Sequence, residues 1–378
     1  MDKTNQRRKR VPYDRRSVLA SLGAGVTASA GCVRVRVDDD SRSDDGDDEP
    51  WEPEDERFLW RFEADGRVSP SPTIVDEVLY VGSNDGNLYA IDRTTGDQRW
   101  RFQTGAEVWS SPTYHDGSVY VGSFDAYLYA IDASEGEQQW RFATGDAIIS
   151  DPTVRKGSVY FGSYDTNIYS VSTYDGTENW AFETGNRITA GCTVTADTVY
   201  CGSRDNYVYA ISTEDASEKW VFKTGGDVAP TPKIKDSLLF TGSHDGLFYA
   251  IDRHAGTKRW HWDAGPSIYS SSYIHDNLIY VGTRGADIVA LDRSTGDIDW
   301  HQELPERTIN SSPTVAADTL YIGDTRGYVH AFDAHTGDHR WQFRTANAIN
   351  SSPVVVDDVL YFGSNDGHVY ALDVSDDP

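Results

Sequence analysis

The sequence is poor in sulfur and in long apolar runs. It holds only three cysteines and one methionine in 378 residues, which excludes a disulfide-dense scaffold and a zinc ribbon. Apart from a short stretch near the N-terminus, no apolar run approaches the roughly 18 residues of a membrane-spanning helix. No apolar stripe recurs at the helical spacing of about 3.6 residues, so we expect little helix.

Lysine is scarce, and positive charge is outweighed by negative charge. The 34 basic residues, 8 of them lysine, face 60 acidic residues, 45 of them aspartate, and the formal net charge is −26. This charge argues against nucleic acid or an anionic lipid surface as the main partner, because both would repel the protein. Aspartate-rich, lysine-poor surfaces resemble those of proteins from brines, where salt screens the repulsion between carboxylates. We therefore expect a halophilic protein.

Residues 1–31 are typical of an export signal. Arg15 and Arg16 precede a mildly apolar run from Val18 to Gly31, which predicts a twin-arginine signal peptide. The four residues that end at Cys32, Ser-Ala-Gly-Cys, resemble a lipobox. That resemblance implies that Cys32 is lipidated and becomes the mature N-terminus; the alternative is a basic leader with a chance cysteine. We predict an exported protein, lipid-anchored on the extracellular side of the cell membrane.

Residues 32–57 are predicted to form an acidic disordered tether. The stretch from Asp38 to Glu56 reads DDDSRSDDGDDEPWEPEDE, a block of like charges that cannot bury enough apolar surface to fold. Self-repulsion would extend this segment. It would hold the remaining chain, residues 58–378, away from the membrane.

The rest of the chain is one repeat. A tryptophan recurs every 40 residues, with one extra residue in the last interval, at Trp60, Trp100, Trp140, Trp180, Trp220, Trp260, Trp300 and Trp341. The extra residue falls between Leu304 and Asn310. Two further motifs keep the same step, YVGSNDGNLYAID from Tyr80 and SPT near Pro72. Eight copies of three motifs indicate a repeat architecture.

Each repeat predicts four short strands. Apolar and polar residues alternate with a period of two, and NDG and TTGD are tight-turn sequences. The second copy reads as the strands SSPTY, SVYVGS, YLYAID and QQWRFAT. Four antiparallel strands in about 40 residues are typical of a propeller blade. We predict an all-β fold, a single eight-bladed β-propeller spanning residues 58–378.

The two ends of the repeat region complete each other. The first tryptophan strand, around Trp60, precedes any inner strand, and the last repeat stops at Asp373, where its own tryptophan strand should begin. We predict that the N-terminal strand pairs as the outer strand of the last blade. This pairing would remove an exposed sheet edge.

The repeat resembles the quinoprotein-type (PQQ-like) β-propellers. The segment AIDRTTGDQRW, from Ala90 to Trp100, is similar to the tryptophan-docking motif of that family. The resemblance implies that each of the eight tryptophans packs between blades on a small alanine, while the glycine makes the turn. The third and fourth copies depart from the motif at four positions, so we expect those blades to be looser at the outer edge: Ser170, Ser172, Ser212 and Ala216.

A PQQ-dependent dehydrogenase-like enzyme is the alternative that the resemblance raises. Those family members are much longer, carry adjacent cysteines over the cofactor, and hold calcium with Glu, Asn and Asp. Here no two cysteines are adjacent. We predict no catalytic residue, no cofactor and no metal.

Two sets of residues could suggest a metal site. The repeated aspartates lie in a GSxD context that predicts a turn role rather than a metal ring; they are Asp85, Asp125, Asp165, Asp205, Asp245 and Asp366. His335 and His339 have the spacing of metal ligands but lie across a turn. We therefore expect them to have a structural role rather than to bind a metal.

The non-enzymatic members of the family include BamB-like lipoproteins. They resemble this chain in anchor, length and blade number, and the resemblance implies a scaffold that binds extended segments of partner proteins. We predict a cell-surface binding or assembly scaffold with a protein or other acidic ligand as partner.

One set of loops collects arginine and aromatic residues. Loops from an outer strand to the next inner strand should share a face with the loops between the two middle strands. The predicted partner-binding residues there are Arg67, Trp109, Arg187, Arg204, Tyr207, Tyr269, Arg284, Arg307 and Arg326, with Phe124, Tyr127, Tyr164, His244 and Tyr328 beside them. Arginine and aromatics are common anchors of interfaces; the alternative is that the arginines pair with local aspartates and the rings cover the blade tops.

Cys192 and Cys201 are predicted to form a disulfide. A hairpin centred on Ala196 and Asp197 places them opposite each other at a non-hydrogen-bonded site, where Cα atoms approach to about 4.5 Å. That distance permits a bridge, and an exported protein favours one. Two free buried thiols are the alternative.

Overall fold

The computed structural model describes residues 55–304 and 307–377. The predicted signal peptide, Cys32 and most of the predicted tether lie outside these ranges. Within them, every regular element is a β-strand, and no helix has the length and hydropathy of a membrane span. The strands form eight antiparallel sheets of four strands each, which confirms the predicted all-β, eight-bladed propeller.

The blades follow one another along the chain, and each runs from a short inner strand to an outer strand. The first half contains β1 (Phe58–Glu63), β2 (Thr73–Val75), β3 (Val78–Gly82), β4 (Asn87–Asp92), β5 (Gln98–Gln103), β6 (Thr113–His115), β7 (Ser118–Gly122), β8 (Tyr127–Asp132), β9 (Gln138–Ala143), β10 (Thr153–Arg155), β11 (Ser158–Gly162), β12 (Asn167–Ser172), β13 (Glu178–Glu183), β14 (Thr193–Val194), β15 (Thr198–Gly202) and β16 (Tyr207–Ser212). The second half contains β17 (Glu218–Lys223), β18 (Lys233–Lys235), β19 (Leu238–Gly242), β20 (Leu247–Asp252), β21 (Lys258–Asp263), β22 (Tyr273–His275), β23 (Leu278–Gly282), β24 (Asp287–Asp292), β25 (Ile298–Glu303), β26 (Thr314–Ala316), β27 (Thr319–Gly323), β28 (Tyr328–Asp333), β29 (His339–Arg344), β30 (Val354–Val356), β31 (Val359–Gly363) and β32 (His368–Asp373).

The core lies between blades, because the two middle strands of each blade are buried on both faces. In blade 2, β7 is buried throughout and β8 nearly so, whereas β9 alternates between exposed and buried residues. One typical cluster joins Tyr80 and Leu88 of blade 1 to Val119 and Tyr129 of blade 2. A blade alone could not bury these side chains, so the sheets stack into a ring.

The N-terminal strand closes the ring as predicted. The sheet of blade 8 has the order β1-β32-β31-β30, and β1 pairs antiparallel with β32, with Trp60 opposite Ala371. Blade 8 is therefore built from both ends of the repeat region.

Each docking tryptophan contacts the next blade. Trp100 lies opposite Ala90 within its own sheet, and its ring lies against Gly136 of blade 2, where an added Cβ would come within 2.7 Å of the ring. Its Nε1 donates a hydrogen bond to the Ala133 carbonyl at 3.0 Å. The glycine thus does more than make the turn: it supplies the flat surface on which the ring rests.

The departures in blades 3 and 4 leave the strand register unchanged. Outer strands β13 and β17 pair with their neighbours as β5 does in blade 1. Ala216, which stands where other blades have glycine, adopts φ 57° and packs in the cluster that contains Trp180.

Cys192 and Cys201 are joined by a disulfide, with Cα atoms 4.6 Å apart. The adjoining hairpin has the predicted register, in which Thr193 lies opposite Tyr200. Both side chains are buried. We expect thiol titration under denaturant, without reductant, to find one reactive thiol at most, that of Cys32. Two further reactive thiols would contradict the bridge.

Candidate functional site

The two predicted sets of loops share one face of the propeller, which we call the loop face. The Phe124 N–H donates to the Glu107 carbonyl at 2.9 Å, and the His244 N–H donates to the Asp227 carbonyl at 2.9 Å. Equivalent bonds recur around the ring, because each loop between blades passes beside the middle-strand turn of the next blade. Side chains from neighbouring blades are therefore brought together here.

Aromatic rings connect blades 2 and 3 across the loop face. The Trp109 ring, 42 % exposed, meets Phe124 edge-on with centroids 5.0 Å apart. Phe124 lies 6.2 Å from Tyr164, and the Arg187 guanidinium lies 4.7 Å above the Tyr164 ring. These contacts form a continuous aromatic surface with the positive charge of Arg187 at one end.

A second group continues the line across blades 4 to 6. His244 stacks on Tyr269 with ring centroids 3.9 Å apart, and the Arg284 guanidinium lies 4.2 Å from the centroid of the same tyrosine ring. Arg204 stands near this group, since its charge acts on His244, and its backbone N–H donates to the Arg187 carbonyl at 3.1 Å. We call the whole line the arc; it comprises Trp109, Phe124, Tyr164, Arg187, Arg204, His244, Tyr269 and Arg284.

The centre of the arc holds two buried side-chain nitrogens that lack a hydrogen-bond partner. Among the described residues, Arg204 Nε and His244 Nε2 have no hydrogen-bond partner. Burial lowers the pKa of His244, and the nearby charges of Arg204 and Arg284 lower it further, although Asp227 opposes this. His244 is therefore neutral near pH 7, and the positive charge of the centre comes from the arginines.

Several predicted residues lie away from the arc or are already engaged. Tyr127 lies under Arg141 of its own blade, 4.4 Å from the guanidinium, and Tyr207 lies 5.9 Å from the Lys223 ammonium. Arg307 pairs with Asp324 at 2.8 Å and covers the Tyr328 ring at 4.5 Å. Two further predicted residues, Arg67 and Arg326, are exposed on loop-face turns.

The repeated aspartates latch the loops. Asp125 accepts hydrogen bonds from the Tyr127 N–H at 3.0 Å, the Tyr129 hydroxyl at 2.7 Å and the Gly105 N–H at 2.6 Å. Burial, aided by the Asp125 carboxylate, raises the pKa of Tyr129 to about 12, so its hydroxyl stays a donor. Six blades share this aspartate–tyrosine latch. The sequence carries the signal, an Asp followed four residues later by Tyr.

Blade 7 replaces the latch with a buried ionic cluster. Asp324 stands at the usual serine position, Arg326 at the aspartate position and His330 at the tyrosine position. The Asp324 carboxylate, fully buried, accepts from Arg307 at 2.8 Å and from His330 Nε2 at 3.0 Å. Asp324 Oδ1 also accepts hydrogen bonds from the backbone N–H groups of Arg326 and Tyr328. Both carboxylate oxygens therefore have partners.

The residues that suggested a metal site are separated. No group of three or more His, Cys, Asp or Glu side chains that could hold a metal occurs in the described part of the chain. His335 bonds Asp318 at 3.1 Å, and His339 approaches His330 at 3.5 Å, so the two histidines do not share a site. The two described cysteines, Cys192 and Cys201, are nine residues apart in sequence and joined across a hairpin, so they do not form the adjacent pair that covers the cofactor in the PQQ-dependent enzymes.

Comparisons with known proteins agree with this architecture. A family model described as "Beta-alanine-activating enzyme, beta-propeller" matches residues 156–377, more than half of the chain. A model described as "Outer membrane protein assembly factor BamB" matches residues 8–110 and 103–190. No curated protein matches the sequence.

Three solved structures illustrate the likeness, and each covers 84 % of this chain. The computationally designed Ika8 protein has TM-score 0.77, 17 % identity and 100 % of its own length covered. BamB from Moraxella catarrhalis has TM-score 0.73, 19 % identity and 99 % covered. Quinohemoprotein alcohol dehydrogenase from Comamonas testosteroni has TM-score 0.71, 16 % identity and 76 % covered. At these identities the likeness concerns the fold alone.

Proposed function

The chain belongs to the family of the beta-alanine-activating-enzyme β-propeller, among the PQQ-like propellers, and from this premise we propose that it is a non-catalytic binding scaffold. It captures an acidic segment of a partner protein on the arc of the loop face. It does so outside the cell, anchored to the membrane through a lipid on Cys32. The match to the BamB family model supports the scaffold role.

One observation carries the proposal: the Arg204 Nε–H lies buried near His244 and Arg284 with no acceptor among the residues that the structure describes. Buried donors are nearly always paired in proteins. A carboxylate from a partner would supply the acceptors, and bonds between charged groups are the stronger ones. The Tyr269 ring beside these groups and the Trp109 ring at the other end of the arc supply contact area at small entropic cost.

The direction of β1 suits this role. Strand β1 ends where the loop to β2 begins on the loop face, so its first residue, Phe58, lies at the opposite end of blade 8. Trp60 also bonds to the Arg93 carbonyl in a turn of that opposite side. The arc and the first residue of β1 therefore lie on opposite faces of the propeller.

Replacing Arg187, Arg204 and Arg284 together by Ala is expected to abolish capture of the partner from membranes in high salt. The melting temperature should stay nearly unchanged, because Arg187 and Arg284 are exposed and exposed charged contacts contribute only about 0–1 kcal/mol each. The buried Arg204 Nε has no hydrogen bond to lose. The matched control replaces Arg101, Arg141 and Arg155, which are exposed away from the arc, and removes the same charge. Capture that survives the arc variant, or alcohol oxidation on adding PQQ with calcium, would contradict the proposal.

The anchor has its own test. Changing Cys32 to Ser should release the protein from the membrane fraction or leave the leader uncleaved, as mass spectrometry of the N-terminus will show. Wild-type protein found in the cytoplasm with Met1 intact would rule out an exported lipoprotein, while leaving the binding role of the arc open.

A further inference from the structure

An open groove of about 600 Å³ lies between blades 1 and 2. It is lined by the turn that follows β8, and β8 begins at a loop-face turn, so the groove lies on the face opposite the loop face. Blade 1 contributes the rings of Tyr80 and Trp100, whose centroids lie 5.7 Å apart. Blade 2 contributes Tyr114, which stacks on Tyr80 with ring centroids 6.3 Å apart. Three aromatic rings therefore line this groove.

Tyr114 is a departure from the repeat. The equivalent positions of the other seven blades hold isoleucine or valine, namely Ile74, Val154, Val194, Ile234, Ile274, Val315 and Val355. Tyr114 packs between blades as those residues do, but its larger ring also lines the groove. Packing between blades is achieved elsewhere by an aliphatic side chain, so packing alone does not account for the tyrosine.

A second departure in blade 2 leaves a carboxylate of the groove without a cationic partner. In blade 1, the Arg99 guanidinium pairs with Asp92 at 2.7 Å, and blades 5 and 7 repeat this pair. Blade 2 has Gln139 at the arginine position. The equivalent acid, Asp132, lines the groove and has no ion pair within the described ranges. Arg99 lines the groove too, but its charge is already met by Asp92.

The Asp132 carboxylate is charged near pH 7. Its Oδ1 accepts from the Ser134 hydroxyl at 2.7 Å and from the Glu135 N–H at 3.0 Å, and these hydrogen bonds lower the pKa of Asp132. The carboxylates of Asp76 and Glu77 also line the groove. The groove therefore attracts cations and repels anions.

We propose that this groove binds a small organic cation of the alkylated ammonium class. The rings of Tyr80, Trp100 and Tyr114 would contact its alkyl groups and attract its charge, an arrangement that proteins use repeatedly for quaternary ammonium ions. Asp132 would supply the opposite charge. The groove is independent of the arc, because the two lie on opposite faces of the propeller.

Equilibrium dialysis of the folded full chain, at constant salt, tests the groove with choline and tetramethylammonium as probes. The control ligand is the neutral isostere of choline, in which a carbon atom replaces the nitrogen. We expect saturable binding of at least one of the two cations. The isostere should bind roughly tenfold more weakly than choline, because it keeps the shape and loses the attraction of the charge to the rings.

Two variants restore in blade 2 what other blades contain. Tyr114→Val should lower the affinity for the cation roughly tenfold, because one ring is lost, while the melting temperature stays near that of the wild type. Gln139→Arg should lower it at least as much, because the new guanidinium pairs with Asp132 and places like charge beside the ligand.

The matched control is Arg259→Gln in blade 5. It removes the cationic partner of Asp252 beside a groove position that holds Ile234 rather than tyrosine, so it should neither weaken binding nor add a second site. Absence of saturable binding of both cations to the wild type would overturn the proposal. An isostere that binds as well as choline, or unchanged binding in Tyr114→Val or in Gln139→Arg, would overturn it too.

Discussion

Deleting residues 58–63 is expected to destabilise the whole propeller. The deletion removes the ladder between β1 and β32, and it removes the Trp60 ring that lies against Gly96 of blade 1. Losing a buried aromatic side chain alone costs about 3–5 kcal/mol, and here an unpaired sheet edge is exposed as well. The free energy of unfolding should therefore fall by more than the cost of Trp60→Ala alone.

Urea melts of the deletion variant and of Trp60→Ala measure this effect. Deletion of residues 44–49 removes the same number of residues from the acidic stretch and should leave the melt unchanged. If the chain without residues 58–63 melts as cooperatively and at the same midpoint as the wild type, β1 does not close the ring.

Replacing Asp324 by Ala is the second change with a large expected effect. It would leave the Arg307 guanidinium and the buried His330 ring without their acceptor, and breaking a buried ion pair costs about 3–5 kcal/mol. Restoring the arrangement of the other blades should rescue stability. The triple variant Asp324→Ser, Arg326→Asp and His330→Tyr rebuilds the aspartate–tyrosine latch and is expected to melt near the wild type.

The Asp324 cluster also predicts a pH dependence. Burial alone would raise the pKa of Asp324, but the hydrogen bonds from His330 and the Tyr328 N–H, with the Arg307 charge, hold that pKa below its ordinary value. The stabilisation is thus fully present above about pH 4, the ordinary carboxyl range. It is lost as the pH falls through the lower pKa of the folded state. Asp324→Asn should flatten this part of the stability profile; an unchanged profile would contradict the assignment.

The blade count and the closure could be predicted because they depend on spacing. A tryptophan every 40 residues marks one blade per repeat. Because the repeat region starts with an outer strand, that strand is left to complete the last blade. The contact made by each ring was harder to predict. The docking motif pointed to alanine, and Trp100 does pack in the cluster that contains Ala90. Its further contact with Gly136 was not predicted, because that contact crosses to a different blade.

The loop face was predictable only in part. Register alone groups Tyr207 with Arg204, because both lie near the same turn. A residue at the start of a strand, however, leans towards the neighbouring outer strand, and Tyr207 accordingly lies near Lys223. The engagement of Arg307 depends on Asp324, an acid at a position that is serine in most other copies. The sequence shows which residue of one repeat differs from the equivalent residue of the other repeats. The side chain that such a residue contacts becomes known only from the folded loops.

The most direct test of the central claim locates the partner on the propeller. A photoreactive benzoylphenylalanine at Trp109, on the arc, should cross-link to the partner when the folded protein is mixed with membranes and irradiated. The same group at Tyr174, 91 % exposed in a turn on the opposite side, should not cross-link. Cross-linking from position 109 alone is the predicted result; cross-linking from position 174 alone would contradict the account.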